Sequence, residues 1–212
     1  MKWLHSMLVA FCLVAVFAMP VSAEKADWSD KSYDFTKVHR ALVYDMTFEE
    51  DSGLDSDLME QVLQEEYLKN ANRPSYTVIR PEKAKVLSPE NPQSAADVYV
   101  TARLITWESS SYVKQEYTTW ESRTSKRKKK HSDGSQTEET YEYTVPVYHP
   151  ARLAYTSTVR LRFEVFDAKT GERVMARDEL RERDNSKDGQ QGIFGRISKS
   201  FFDDLGKKLK NE

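Results

Sequence analysis

The sequence predicts an α+β fold, a two-layer sandwich in which two main helices lie against a mixed, mostly antiparallel sheet. Three observations carry that expectation. Leu54 to Asn70 and Gly192 to Leu209 repeat their apolar residues at helical spacing, whereas Tyr155 to Val165 alternates strictly. The element order β-α-β-β-hairpin arm-β-β-α lets each helix bury one face against a shared sheet.

The elements follow in order along the chain. Glu24 to Lys37 reads as a polar lead-in pinned by Trp28, Tyr33 and Phe35, and HRALVYDM from His39 to Met46 as a short buried strand. After EEDSG, the helix LDSDLMEQVLQEEYLKN carries Leu58/Val62 and Met59/Leu63/Tyr67 behind the capping candidates Asp55 and Ser56. Tyr76 to Ile79 is a second strand, closing a β-α-β unit. Prolines 81, 89 and 92 make Pro81 to Ala96 irregular or at best a poor helix. In DVYVTARLITW, Val98, Val100, Ala102 and Leu104 share one face of a strand. Tyr155, Ser157, Val159, Leu161, Phe163 and Val165 share one face of the next. The turn DAKTGE leads to a strand from Arg173 to Leu180, with Val174, Ala176 and Leu180 expected on one face. A final helix sets Ile193, Ile197, Phe201, Leu205 and Leu209 four residues apart.

The first 23 residues have the form of a cleaved secretory signal: Lys2, an apolar run from Met7 to Met19, then Val21-Ser22-Ala23. That run has 13 residues, against the roughly 20 that span a bilayer as a helix, so no transmembrane anchor is expected after processing. Cys12, the chain's one cysteine, lies inside the run and not at its end, which disfavours a lipid anchor and leaves residues 24–212 without a thiol. A chain of that size with no disulfide framework points to a bacterial envelope protein, periplasmic or secreted, held by burial alone. Removing one lysine from 32 basic residues leaves 31 against 34 acids, a net charge of −3. That balance excludes a general nucleic-acid binder and confines anion recognition to local clusters.

Residues 24–212 are expected to form one domain with a β-hairpin arm at about 108–154. The arm carries the basic run Lys126, Arg127, Lys128, Lys129 and Lys130, followed by Asp133-Gly134. If Asp133 and Gly134 form a two-residue type I′ turn, opposed residues have numbers summing to 267. Leu104 then faces Phe163, aligning the apolar faces of the two best strands, and Trp120 faces Val147 on the side that carries Tyr141 and Tyr143. The same register sets Lys129 against Glu138 and Lys128 against Glu139. Pro146 and Pro150 are expected to interrupt it.

The usual catalytic equipment is missing. There is no GxGxxG, no GxxxxGK[ST], no HExxH and no GxSxG. His39, His131 and His149 stand alone without ligand spacing, so no metal and no cofactor are expected. Glu108, Glu116 and Glu142 are the acids from which a dispersed-carboxylate hydrolase would draw its pair.

A family resemblance rests on the signal segment, Tyr33-Asp34-Phe35, the Leu54–Asn70 helix, Ala96-Asp97-Val98-Tyr99-Val100, and FEVFDAKTGERV before a final helix. Together they resemble a family of uncharacterised bacterial envelope proteins, often lipoproteins, known as a domain of unknown function. The chain departs from it in lacking the lipid-anchor cysteine and in its charged middle insertion. The resemblance implies an envelope location and an α+β sandwich, and no chemistry.

These readings converge on a non-enzymatic exported interaction or assembly module. Its partner would be an envelope protein or glycan, met through Trp120, Tyr141 and Tyr143 on the arm. Two alternatives remain open: a binder of anionic polymer or lipid headgroups through Lys126–Lys130, and the hydrolase.

Overall fold

The computed structural model describes residues 23–210. The expected signal segment, apart from Ala23, lies outside the described residues. No helix among those described is long and apolar enough to cross a membrane. The chain forms two compact units: residues to Ser110 with those from Tyr155, and Ser111–Ala154.

The larger unit is an α+β sandwich. Its strands are β1 (Ala23–Ser29), β2 (Arg40–Val43), β3 (Thr47–Phe48), β4 (Thr77–Ile79), β5 (Val98–Lys114), β8 (Arg152–Asp167) and β9 (Arg173–Asn185), with β5 and β8 continuing past its boundary. The sheet runs β1-β9-β8-β5-β2-β4, with β3 beside β5. β2 pairs in parallel with both β4 and β5, while β9 is antiparallel to β8 and β1. The helices are α1 (Asp57–Ala71), α2 (Pro81–Leu87) and α3 (Gln190–Lys210).

The core follows the alternation read from the sequence. Val98, Val100, Ala102 and Leu104 of β5 join Val159, Leu161, Phe163 and Val165 of β8 in one buried cluster. α3 covers it with Ile193, Ile197, Phe201, Leu205 and Leu209, and Phe201 stacks on Phe163 at 4.2 Å between ring centres. α1 adds Leu63, Tyr67 and Ala71, a stripe four residues apart, while Leu58 points to solvent. Its cap is Ser56, whose side chain accepts from the Met59 amide at 3.4 Å. Because strand neighbours face opposite sides, Leu42 lies on the other face from Ala41 and Val43. There it meets Ile79, Ala84, Ala95 and Ala96 in a smaller cluster, to which α2 contributes Ala84.

Three expectations need correction. The lead-in is partly a strand: β1 pairs with β9 from Ala23↔Arg181 to Ser29↔Met175. Its composition, AEKADWS, hides this, because an edge strand is made by its partner's ladder and not by its own propensity. The core face of β9 carries Met175, Arg177 and Glu179, opposite Val165, Phe163 and Leu161, and not Ala176 and Leu180. Two fully buried charges defeated the search for apolar alternation. The third correction is the hairpin register.

Candidate functional site

The unit Ser111–Ala154 is built on β6 (Tyr117–Lys130) and β7 (Gln136–His149), a two-stranded antiparallel ribbon with fourteen opposed pairs. Among the described residues no third strand joins it. Opposed numbers sum to 266, not 267, as in Tyr117↔His149 and Lys130↔Gln136. The turn explains the difference. The Gly134 amide donates to the His131 carbonyl at 3.0 Å, and the His131 amide donates to Ser135 at 2.9 Å. The loop is therefore three residues, a tight turn closed by Gly134 at φ 87°, and not the two-residue form. Asp133 tightens it by accepting from the Ser135 amide at 2.9 Å and hydroxyl at 2.7 Å.

A one-residue slip exchanges the faces. Trp120 now lies opposite Pro146 and on the face of Tyr148, whereas Tyr141 and Tyr143 share the other face with Val145, Val147, Tyr117 and His149. The expected single aromatic face is thus two. Trp120 is 69% exposed, Tyr141 47% and Tyr143 42%. Along the tyrosine face, Tyr117 stacks on His149 at 4.5 Å and the Tyr141 and Tyr143 rings sit 5.9 Å apart. His149 Nε2 bonds Thr119 Oγ1 at 2.8 Å, Glu121 pairs with Arg123 at 3.6 Å, and Lys114 stands 5.3 Å over the Tyr117 ring. On the opposite face, Tyr148 donates to Glu116.

The ladder also absorbs Pro146 without interruption. Since His131/Ser135 is a hydrogen-bonded pair, odd-numbered pairs point their amides inward and even-numbered ones outward. Pro146 occupies an outward position, where its missing N–H breaks no bond.

The basic run is only partly answered. Lys126 pairs with Glu138 at 3.2 Å, both exposed. The opposed pairs are Arg127↔Glu139 and Lys128↔Glu138, replacing those expected, and neither forms an ion pair. Lys126, Lys128 and Lys130 share the Trp120 face, and Arg127 and Lys129 the tyrosine face. Of the histidines, His131 bonds Thr137 at 2.7 Å and His39 is exposed. No three metal-binding side chains converge among the described residues.

The larger unit brings together what the sequence left scattered. Tyr33, Asp97 and Asp167, from three of the segments that carry the resemblance, line one open depression of about 580 Å³ with Arg40 and Lys169. Tyr33 donates to Asp167 at 3.0 Å, and Asp167 also accepts the amides of Lys169 and Thr170 at 2.9 and 2.7 Å. Asp97 accepts the His39 and Arg40 amides, both at 2.9 Å, and the Arg40 guanidinium at 3.1 Å. Burial alone would raise both carboxylates, but these donors outweigh it and hold them below the usual aspartate range. Burial first, and then the Asp167 charge, pushes the Tyr33 phenol up. The carboxylates are spent on fixing turns, which is a structural use. The spacing of single aspartates in separate segments gave no signal of this meeting.

No family model matches the chain, and no curated protein matches it. Among solved structures it is similar to PelC, a dodecamer from Paraburkholderia phytofirmans, at 12% identity over 87% of this chain and 98% of that one, with a TM-score of 0.48. It is also similar to a DUF4136 family protein from Bacteroides thetaiotaomicron, at 11% identity over 90% and 98%, with a TM-score of 0.46. A family of unknown function is thus among its structural neighbours. At such identities and scores, function does not pass from one chain to the other.

Proposed function

We propose that this chain is a non-enzymatic, exported module of the bacterial cell envelope that contacts its partner through the 111–154 ribbon. One observation carries the reading: a fourteen-pair ribbon with half-exposed Tyr141 and Tyr143 in a row and no third strand among the described residues. An isolated two-stranded ribbon is marginal in water, so an uncovered aromatic row favours a covering surface. The signal-like first 23 residues support export. The test is a photo-reactive residue at position 143, with a second at exposed Glu82 of α2 as control, in cells that make the chain. Adducts at 143 and none at 82 support the reading; equal or absent labelling at the two positions overturns it.

A second reading, recognition of anionic polymer or headgroups through Lys126–Lys130, is favoured by the run's single ion pair among the described residues. Replacing all five residues by Gln should then abolish capture by vesicles containing anionic lipid, or by lipopolysaccharide, at low salt. Capture that survives both the replacement and high salt sinks it.

A further inference from the structure

We infer that the partner for the tyrosine face of the ribbon is a second copy of this chain, stacked face to face and antiparallel. The inference rests on the reading just given and names its partner. It comes from the order of side chains along that face.

From the base of the ribbon up to the last level before Lys129 and Thr137, β6 presents Tyr117, Thr119, Glu121, Arg123, Ser125 and Arg127, and β7 presents His149, Val147, Val145, Tyr143, Tyr141 and Glu139. A two-fold axis in the plane between two ribbons, perpendicular to the strands, reverses this order while keeping β6 over β6 and β7 over β7. Such an axis makes an isologous contact, in which each residue type meets its complement twice. Centred between the 121 and 123 levels, the axis sets Glu121 over Arg123 of the second copy, and Arg123 over its Glu121. On β7 it sets Tyr143 over Val145 and Tyr141 over Val147. At the two ends Glu139 meets His149, and Arg127 comes level with Tyr117, whose ring already stacks on His149 and has Lys114 over it. Thr119 and Ser125, both small and polar, meet each other. Within the six levels no like charges oppose, and the one cation that Arg127 approaches is Lys114, over the Tyr117 ring. Charge complementarity and the aromatic row therefore select the same partner and the same register.

The groups needed for this are available. Arg127 and Glu139 lie opposite one another but form no ion pair within the ribbon, and the Glu121–Arg123 pair is a loose 3.6 Å contact with both side chains more than half exposed. The contact is about 34 Å long, from the ten residue-to-residue steps between positions 117 and 127 at roughly 3.4 Å each. At a ribbon width of about 10 Å it covers on the order of 700 Å² in total, below the size of a permanent interface. The dimer is therefore reversible, with a dissociation constant in the micromolar range.

The experiment is sedimentation velocity on the full chain across a micromolar concentration series. The wild type should shift from monomer to dimer, and Glu121→Arg or Arg123→Glu should each weaken the dimer by roughly tenfold or more, since like charges then meet twice. An equimolar mixture of the two single variants should recover it, because one copy then offers two arginines and the other two glutamates. The double variant E121R/R123E should dimerise like wild type. A wild type that stays monomeric throughout, or single variants that associate as well as it does, overturns the inference. Both residues are exposed, so unchanged melting curves separate a lost contact from a lost fold. Adducts at position 143 with some other molecule, from a chain that never dimerises, would leave the partner-binding reading standing and remove only the second copy. Absence of both removes both.

Discussion

Arg177 and Lys128 each place one positive charge on a β-strand, and the chain treats them in opposite ways. Arg177 is 2% exposed; it bonds Asp27 of β1 and Asp204 of α3, sets its guanidinium 5.7 Å over the Phe201 ring centre, and so ties the first strand and the last helix to the sheet. Lys128 is exposed and forms no ion pair among the described residues. In the larger unit Arg177 and Glu179 are buried and paired, and the core rings are covered by α1 and α3. In the ribbon Trp120, Tyr141 and Tyr143 are half-exposed or more, and Lys128 stays unpaired among the described residues. The contrast separates side chains that hold the fold from those free to meet another molecule.

The sharpest way to break this contrast is to remove one ring from each unit. Phe163→Ala should cost about 3–5 kcal/mol, because it empties a stacked, fully buried site against Phe201. Tyr143→Ala should change stability by no more than about 0.5 kcal/mol. Urea denaturation of the two variants measures both, and a comparable loss in each would mean that the ribbon's tyrosines are structural.

Arg177→Met should come next, at about 2–3 kcal/mol, below the full cost of breaking a buried pair because Asp27 and Asp204 are 42% and 34% exposed and regain water. The pair also fixes the acid limb of stability. Burial pushes Asp27 and Asp204 upward, but the hydrogen bonds from Arg177 and the nearby cations outweigh it, so both titrate below the ordinary value of 3.8. A carboxyl depressed on folding contributes its stability above its unfolded pKa and loses it as pH falls through the folded one. Melting temperature should thus drop from about pH 4 downward in the wild type. In Arg177→Met that drop should be shallower. An identical acid profile in the two proteins would show that the pair does not couple to pH.

The fold was legible wherever one face was apolar and the other wet. β5, β8 and α3 follow the spacing of Val98 to Leu104, Val159 to Val165 and Ile193 to Leu209. Reading failed where the rule was broken on purpose. Arg177 and Glu179 face the core, so the apolar residues of β9 pointed to its wrong side. β1 has no pattern of its own, since pairing with β9 makes it a strand. In the ribbon, Asp133-Gly134 was a true turn signal, but it fits a two-residue loop and a three-residue loop alike. That single residue decided whether Trp120 and Tyr143 share a face. The meeting of Tyr33 with Asp167 lies in tertiary structure, 134 residues apart in sequence.

Two glycines compare the units at nearly equal backbone geometry. Gly53 has φ 89° and Gly134 φ 87°. A Cβ on Gly53 would come within 2.7 Å of the Trp107 carbonyl oxygen, whereas one on Gly134 meets nothing within 4 Å. Gly134→Ala should therefore cost only the backbone strain, about 1 kcal/mol, and Gly53→Ala roughly twice that or more. Thermal melting ranks them. Equal costs would mean that the packing around Gly53 yields freely.

The smallest effect is expected at Pro146, and it checks which residues of β7 point into the ladder. Its nitrogen points away from β6, so Pro146→Thr restores an N–H that faces solvent and should alter stability by less than about 0.5 kcal/mol. Its neighbour Val145, opposite Glu121, is inward-facing, and Val145→Pro removes a ladder bond where none can be spared. Hydrogen exchange reads this locally: amides of β6 and β7 should keep their protection in Pro146→Thr and lose it around positions 121–123 in Val145→Pro. Variants that behaved alike, or in the reverse order, would refute the inward and outward assignment on β7. The register itself is read on β6, where protected amides at 121 and 123 mark a sum of 266 and protected amides at 120 and 122 a sum of 267. At a sum of 267 Trp120 would rejoin the tyrosine face, and the pairing of Glu121 with a second copy's Arg123 would lose its geometric basis.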